Sequence, residues 1–143
     1  MNGAPFGLVM VDGRRPRVAV VGGSGASALV AARLIEVFGC TPEETATAGA
    51  ALALLRCGRT FDLILCDLAI PDMDAIVAVQ LMRLLDRRHA MPIIALVGET
   101  EVSDGRVRAA GFAASVRKPY SPRELLAAMK GALGRSAILH HAS

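Results

Sequence analysis

Five strand candidates, four of them short apolar runs, are each followed by a stretch of helical periodicity and leave this chain few architectures to choose from. They cover residues 17–21, 43–46 (weak and mostly polar), 61–66, 91–97 and 112–116. The strongest are continuously apolar rather than alternating, as expected of strands covered on both faces. After the first, Ala26, Val30, Leu34, Val37 and Phe38 fall at helical spacing and Gly39 supplies a stop. Thr47 can cap a second helix through Leu55, with Gly58 as its end signal. The third helix, about residues 73–86, is apolar almost all round. The fourth opens at Thr100 or Glu101 and ends by Gly111. Ser121-Pro122-Arg123-Glu124 opens the fifth with a serine cap, proline at the first helical position and glutamate at the third. Strand and helix alternate five times, which predicts a parallel sheet with helices on both faces and right-handed crossovers.

Composition narrows the class further. A chain of 143 residues makes one domain, and with 53% hydrophobic but only 3% aromatic residues its core is aliphatic. No apolar run reaches the ~18 residues of a membrane span, and residues 1–16 do not have the pattern of a signal peptide. Cys40, Cys57 and Cys66 are odd in number, lie inside apparent elements and fit no metal-site spacing. They read as reduced thiols of a cytoplasmic protein. Net charge is +3, but the arginines are scattered and only Tyr120 and four Phe could stack on bases. Neither a nucleic acid nor a membrane is an expected partner. Residues 1–16 are expected to be a linker or an extra edge segment, with linker preferred. Residues 17–134 form the domain and residues 135–143 a flexible tail.

Two positions carry the chemistry. The third run ends in Asp67, and a strand buried on both faces should end in a carboxylate only where that group points out of the sheet. In open parallel sheets that place is the crevice where ligands bind. An isolated Asp there would ordinarily cap a turn. The second position is Lys118, one of two lysines beside 14 arginines, just after the fifth run.

Taken together, Asp-Leu-Ile-Leu-Cys-Asp-Leu through residue 68, Ile70-Pro71-Asp72-Met73-Asp74, and Val-Arg-Lys-Pro-Tyr-Ser-Pro-Arg-Glu-Leu from residue 116 resemble the receiver domain of two-component response regulators and hybrid histidine kinases. The resemblance covers about residues 16–134. It implies a flavodoxin-like (βα)5 fold, a doubly wound parallel five-stranded sheet of order 2-1-3-4-5, which brings Gly22, Asp67 and Lys118 together. It also implies that Asp67 accepts a phosphoryl group from a phosphohistidine and that Lys118 pairs with the carboxylate and then with the phosphoryl group. A mobile ammonium suits that task. The implied partners are a histidine kinase or phosphotransfer protein and a second receiver domain. The domain is a phosphoacceptor rather than an enzyme in its own right.

The chain departs from the pattern at four points. Gly22 and Gly23 stand where the family carries two acids that hold Mg²⁺. Val97 replaces the Ser or Thr that bonds the phosphoryl group, and Ser115 replaces the aromatic switch residue. Ala75 stands where the family has a turn glycine. Mg²⁺ wants carboxylates in near-octahedral geometry. Asp67 with the Ala69 carbonyl is a poor cage, so binding is expected to be weak unless Asp72 or Glu99 substitutes. The expectation is a degenerate receiver: a phosphorylation-poor signalling and interaction module.

The glycines raise an alternative. Gly22-Gly23-Ser24-Gly25, between a strand and a helix, with Gly23, Gly25 and Ala28 at dinucleotide-fingerprint spacing, could present backbone N–H groups to a nucleotide or other anion. A tight turn under a closely packed helix explains the same residues. The apolar third helix could equally be a deeply packed element or a partner surface.

Overall fold

The computed structural model describes residues 6–22, 25–86, 91–98 and 103–141. Five parallel strands form the sheet: β2 (Arg17–Val21), β3 (Thr41–Thr45), β4 (Leu63–Asp67), β5 (Ile93–Val97) and β6 (Ala114–Arg117), in the order β3-β2-β4-β5-β6. Counted within the sheet alone this is 2-1-3-4-5, the expected flavodoxin-like order. The helices are α1 (Gly25–Val37), α2 (Ala48–Arg56), α3 (Ala75–Leu85), α4 (Asp104–Ala110) and α5 (Pro122–Leu133). Among the described residues no helix is long and apolar enough to cross a membrane.

Alternate residues of each central strand enter opposite cores. Ala19, Val21, Ile64, Cys66, Ile93, Ala95 and Val97 pack beneath Ala51, Leu52, Ala78, Met82 and Val107 of α2, α3 and α4. Val18, Val20, Leu63, Leu65, Ile94 and Leu96 pack beneath Ala31, Ile35, Leu125 and Met129 of α1 and α5. Both faces are covered, which is why these strands are apolar throughout instead of alternating.

The caps follow the sequence closely. Thr47 accepts a bond from the Ala50 N–H, and Ser121 with Glu124 closes the expected capping box. Asp74 caps α3 by accepting from the Ile76 N–H at 2.7 Å. That helix buries Ala75, Ala78, Val79 and Met82 and leaves Val77, Leu81 and Leu84 exposed at i, i+4 and i+7. It is thus half core and half uncovered apolar surface. The fourth helix starts at its Ser103 cap; the expected start at Thr100 or Glu101 lies outside the described residues.

Of the two readings of the N-terminal segment an extra strand forms rather than the preferred linker, and the expected flexible tail is structured as well. Phe6–Met10 is a strand, β1, and Ala137–His141, expected to be a flexible tail, is another, β7. They pair antiparallel, Phe6 with His141 through Met10 with Ala137, as a ribbon separate from the main sheet. Leu8, Met10 and Ala137 are buried in the core beneath α1 and α5. Gly7 makes the docking close: a Cβ there would stand 3.2 Å from the Phe38 carbonyl oxygen, to which Leu8 donates its N–H at 2.7 Å. Apolar burial at Leu8 and Ala137 and a remote partner strand order what locally resembles loose termini.

Candidate functional site

The winding of the sheet reverses between β2 and β4, and the site lies above their carboxyl ends. Val21 is in register with Cys66, so Gly22 and Asp67 are neighbours across that boundary. The Asp67 carboxylate is buried, its side chain 3% exposed. One oxygen, Oδ1, accepts the Ala69 N–H at 2.8 Å, and the other, Oδ2, accepts from Lys118 Nζ at 2.5 Å.

Lys118 comes from β6, two strands away. At about 4.8 Å per strand its side chain must span roughly 10 Å across the end of β5, which a long flexible lysine can do. Its backbone N–H bonds the Val97 carbonyl at 2.8 Å, extending the β5–β6 ladder by one residue and fixing the start of that reach. The following Lys118–Pro119 peptide is cis. Tyr120 is near enough for burial first, and the Asp67 charge second, to raise its phenol above the ordinary value.

The other positions named from sequence are distributed differently. Val97 is fully buried at the end of β5, an apolar side chain with no donor to offer. Ser115 lies in β6, in register with Ala95. Gly22 has φ +76 and its N–H is bonded to the Thr45 carbonyl at 2.8 Å, so that donor is already engaged. Gly25 begins α1. Gly23, Ser24 and Glu99 lie outside the described residues.

Asp72, one of the two residues that could have substituted as a metal ligand, has its carboxylate engaged elsewhere. It turns to the N-terminus of α2 and accepts the Ala48 and Gly49 N–H groups at 3.0 and 2.9 Å. A helix start presents unsatisfied donors and positive potential, and a nearby carboxylate is drawn to both. The Gly49 bond, with a smaller contribution from Ala48, holds this carboxyl below its ordinary pKa. A depressed folded-state pKa means the stabilisation is complete above the unfolded value and is lost as pH falls through the folded one. Asp72→Asn should therefore lower the urea midpoint at pH 7, with the gap closing as pH drops below about 3.9. A gap that stays constant down to pH 2.5 would refute the assignment.

The thiols play no part in this site. Burial pushes both Cys40 and Cys66 up to about 12, with smaller contributions from Asp62 and Asp67. A cleft of about 480 Å³ opens at the other end of the sheet, lined in part by Met10, Leu55, Phe61 and Leu133. Two of its charges, Arg14 and Asp62, are paired with each other.

A buried carboxylate at the tip of a central strand, met by a lysine from an edge strand at the switch point of a doubly wound sheet, defines a class of α/β phosphoacceptor-type domains. Residues 18–130 match the response regulator receiver domain model, and the chain belongs to that family, whose members serve two-component systems. Solved structures agree on the fold. A protein described as a response regulator from Chloroflexus aurantiacus superposes with TM-score 0.78 at 21% identity, covering 84% of this chain and 98% of that one. A CheY-like receiver domain protein from Methanospirillum hungatei gives 0.74 at 29%, with 83% and 94% coverage. The receiver domain of sensor histidine kinase PA1611 from Pseudomonas aeruginosa gives 0.75 at 21%, with 84% and 98% coverage; that protein holds a magnesium ion in its active-site cleft. No curated relative matches by sequence.

Proposed function

We propose that this chain is a receiver module of a two-component system that has kept the acceptor and its lysine but works with little phosphorylation. Asp67 is the phosphoacceptor position and Lys118 its cationic partner. Val97 and Ser115 occupy the switch positions without the groups a switch would need. The observation that carries the reading is the Asp67–Lys118 contact: the carboxylate already has one full countercharge and one backbone donor.

The described residues do not fit a bound Mg²⁺. The ion requires near-octahedral oxygen ligands including one or two carboxylates. Gly22 offers no side chain, Asp72 is engaged on α2, and no three His, Cys, Asp or Glu side chains converge among the described residues. Weak metal binding follows, with the Asp67 carboxylate and the Ala69 carbonyl as the remaining oxygens. For transfer, an Asp67 oxygen would have to attack the phosphorus of a phosphohistidine while the P–N bond breaks and the imidazole takes up a proton. Lys118 can offset part of the anionic charge in that approach, but charge stabilisation by preorganised groups is where most of the rate arises. Among the described residues Lys118 stands nearly alone. Even if transfer occurred, Val97 offers the new phosphoryl group no hydrogen bond and Ser115 has no ring to move. A ligand shifts a conformational equilibrium only through contacts that differ between the two states.

The partners proposed are a histidine kinase or phosphotransfer protein and a second receiver domain, in the cytoplasm, where three free cysteines would stay reduced. Incubation with radiolabelled phospho-kinase and Mg²⁺, beside a receiver with a complete acid pair, tests the reading. Labelling is expected at a small fraction of the control. Labelling equal to the control and abolished by Asp67→Asn would overturn it.

A further inference from the structure

The loop after β2 and the turn after β4 meet at one point. An ideal Cβ on Gly22 would stand 2.1 Å from Ile70 Cγ2, 3.2 Å from Ile70 Cβ and 3.4 Å from its Cα. Carbon atoms in contact sit about 3.5–4.0 Å apart, so position 22 has no room for a side chain while Ile70 lies where it does. The backbone reinforces this, because φ +76 at Gly22 is a conformation L-residues rarely adopt. Ile70 has little freedom to retreat. It is buried in the cluster that contains Val21, Cys66, Ala75 and Val97, and the Ala69 N–H just before it is tied to Asp67 Oδ1.

We infer that Ile70 is a hydrocarbon plug seated in the volume a carboxylate at position 22 would need, and that Gly22 and Ile70 together determine which cation Asp67 can take. This rests on reading the site as metal-poor. A methyl group cannot replace the water shell that Mg²⁺ keeps, whereas the Lys118 ammonium approaches from the β6 side and needs no room above Gly22. The plug therefore selects an ammonium over a hydrated divalent ion. An acid returned to position 22 alone would not rebuild a cation site, because the two positions are complementary.

Four proteins test this: the unsubstituted chain, Gly22→Asp, Ile70→Ala and the double variant, each titrated with MgCl2 by calorimetry and by the amide shifts of Leu68 and Ala69. Saturable binding in the double variant, about tenfold tighter than the single effects combined would give, is the expected coupling. Equal affinity in Gly22→Asp alone overturns the plug and leaves the metal-poor reading of the unsubstituted site intact. Tight saturation of the unsubstituted chain overturns that reading, and the plug with it. A folded double variant that binds no better than the unsubstituted chain also overturns the plug. Metal-free urea unfolding gives a second readout that does not depend on titration. Ile70→Ala should lower the midpoint less in the Gly22→Asp background than in the unsubstituted chain, and strictly additive losses overturn the plug.

Discussion

Lys118→Met should destabilise the fold by roughly 2–3 kcal/mol, while Asp67→Asn should cost about 1 kcal/mol or less. Breaking a fully buried ion pair by removing one member costs about 3–5 kcal/mol, and losing an exposed pair under about 1. This pair is lopsided: the Asp67 side chain is 3% exposed and that of Lys118 28%. Removing the lysine strands a buried carboxylate that, among the described residues, keeps the Ala69 N–H alone as a donor. Removing the carboxylate's charge leaves an amide whose oxygen still accepts a bond, beside an ammonium that can reach water. Urea unfolding at pH 7 measures both. A neutral Lys118→Met with a costly Asp67→Asn would show that the burden of the pair falls on the lysine, and the electrostatic account of the site would fail.

Leu8→Ala should cost about 2–4 kcal/mol, the usual penalty for truncating a fully buried leucine. Leu8 is buried among Val18, Phe38 and Met129 in the core beneath α1 and α5, although it belongs to a segment whose sequence resembles a linker. Ile138→Ala, on the paired strand but 54% exposed, should stay within about 0.5 kcal/mol. Guanidinium or urea midpoints for the two variants make the comparison. If Leu8→Ala were as mild as Ile138→Ala, the ribbon would be an ornament on the domain rather than part of its core.

The parallel sheet was legible because its signals are local. Apolar runs of strand length, the Ser121 capping box and the glycine stops each report on their own few residues, and right-handed crossovers do the rest. The pairing of Asp67 with Lys118 was legible for another reason: a carboxylate at one strand tip and a rare lysine at another converge once the strand order is known. What stayed hidden was non-local or depended on direction. Nothing near Ala137 announces a partner strand at the far end of the chain. Asp72 follows Asp67 closely in sequence, yet the backbone course takes it to the α2 N-terminus and decides which donors it meets. Ile70 could be read as one more core residue, because the absence of a side chain at Gly22 leaves no mark of what fills the space. Arg83, one of many arginines, binds the Met91 and Gly111 carbonyls and ties α3 to the start of β5 and the end of α4. No spacing rule singles it out.

The ribbon also decides how the domain responds to force. Phe6 lies opposite His141, so both chain ends leave from the same end of the β1–β7 pair. Tension applied between them opens the ribbon like a zipper, breaking hydrogen-bonded pairs one after another instead of shearing all of them at once. The rupture starts at Phe6–His141 and runs past Met10–Ala137 to the bond from the Val11 N–H to the Ser136 carbonyl, and the bond from the Leu8 N–H to the Phe38 carbonyl is lost on the way. Each pair carries the load in turn, and opening the ribbon draws Leu8, Met10 and Ala137 out of the core beneath α1 and α5.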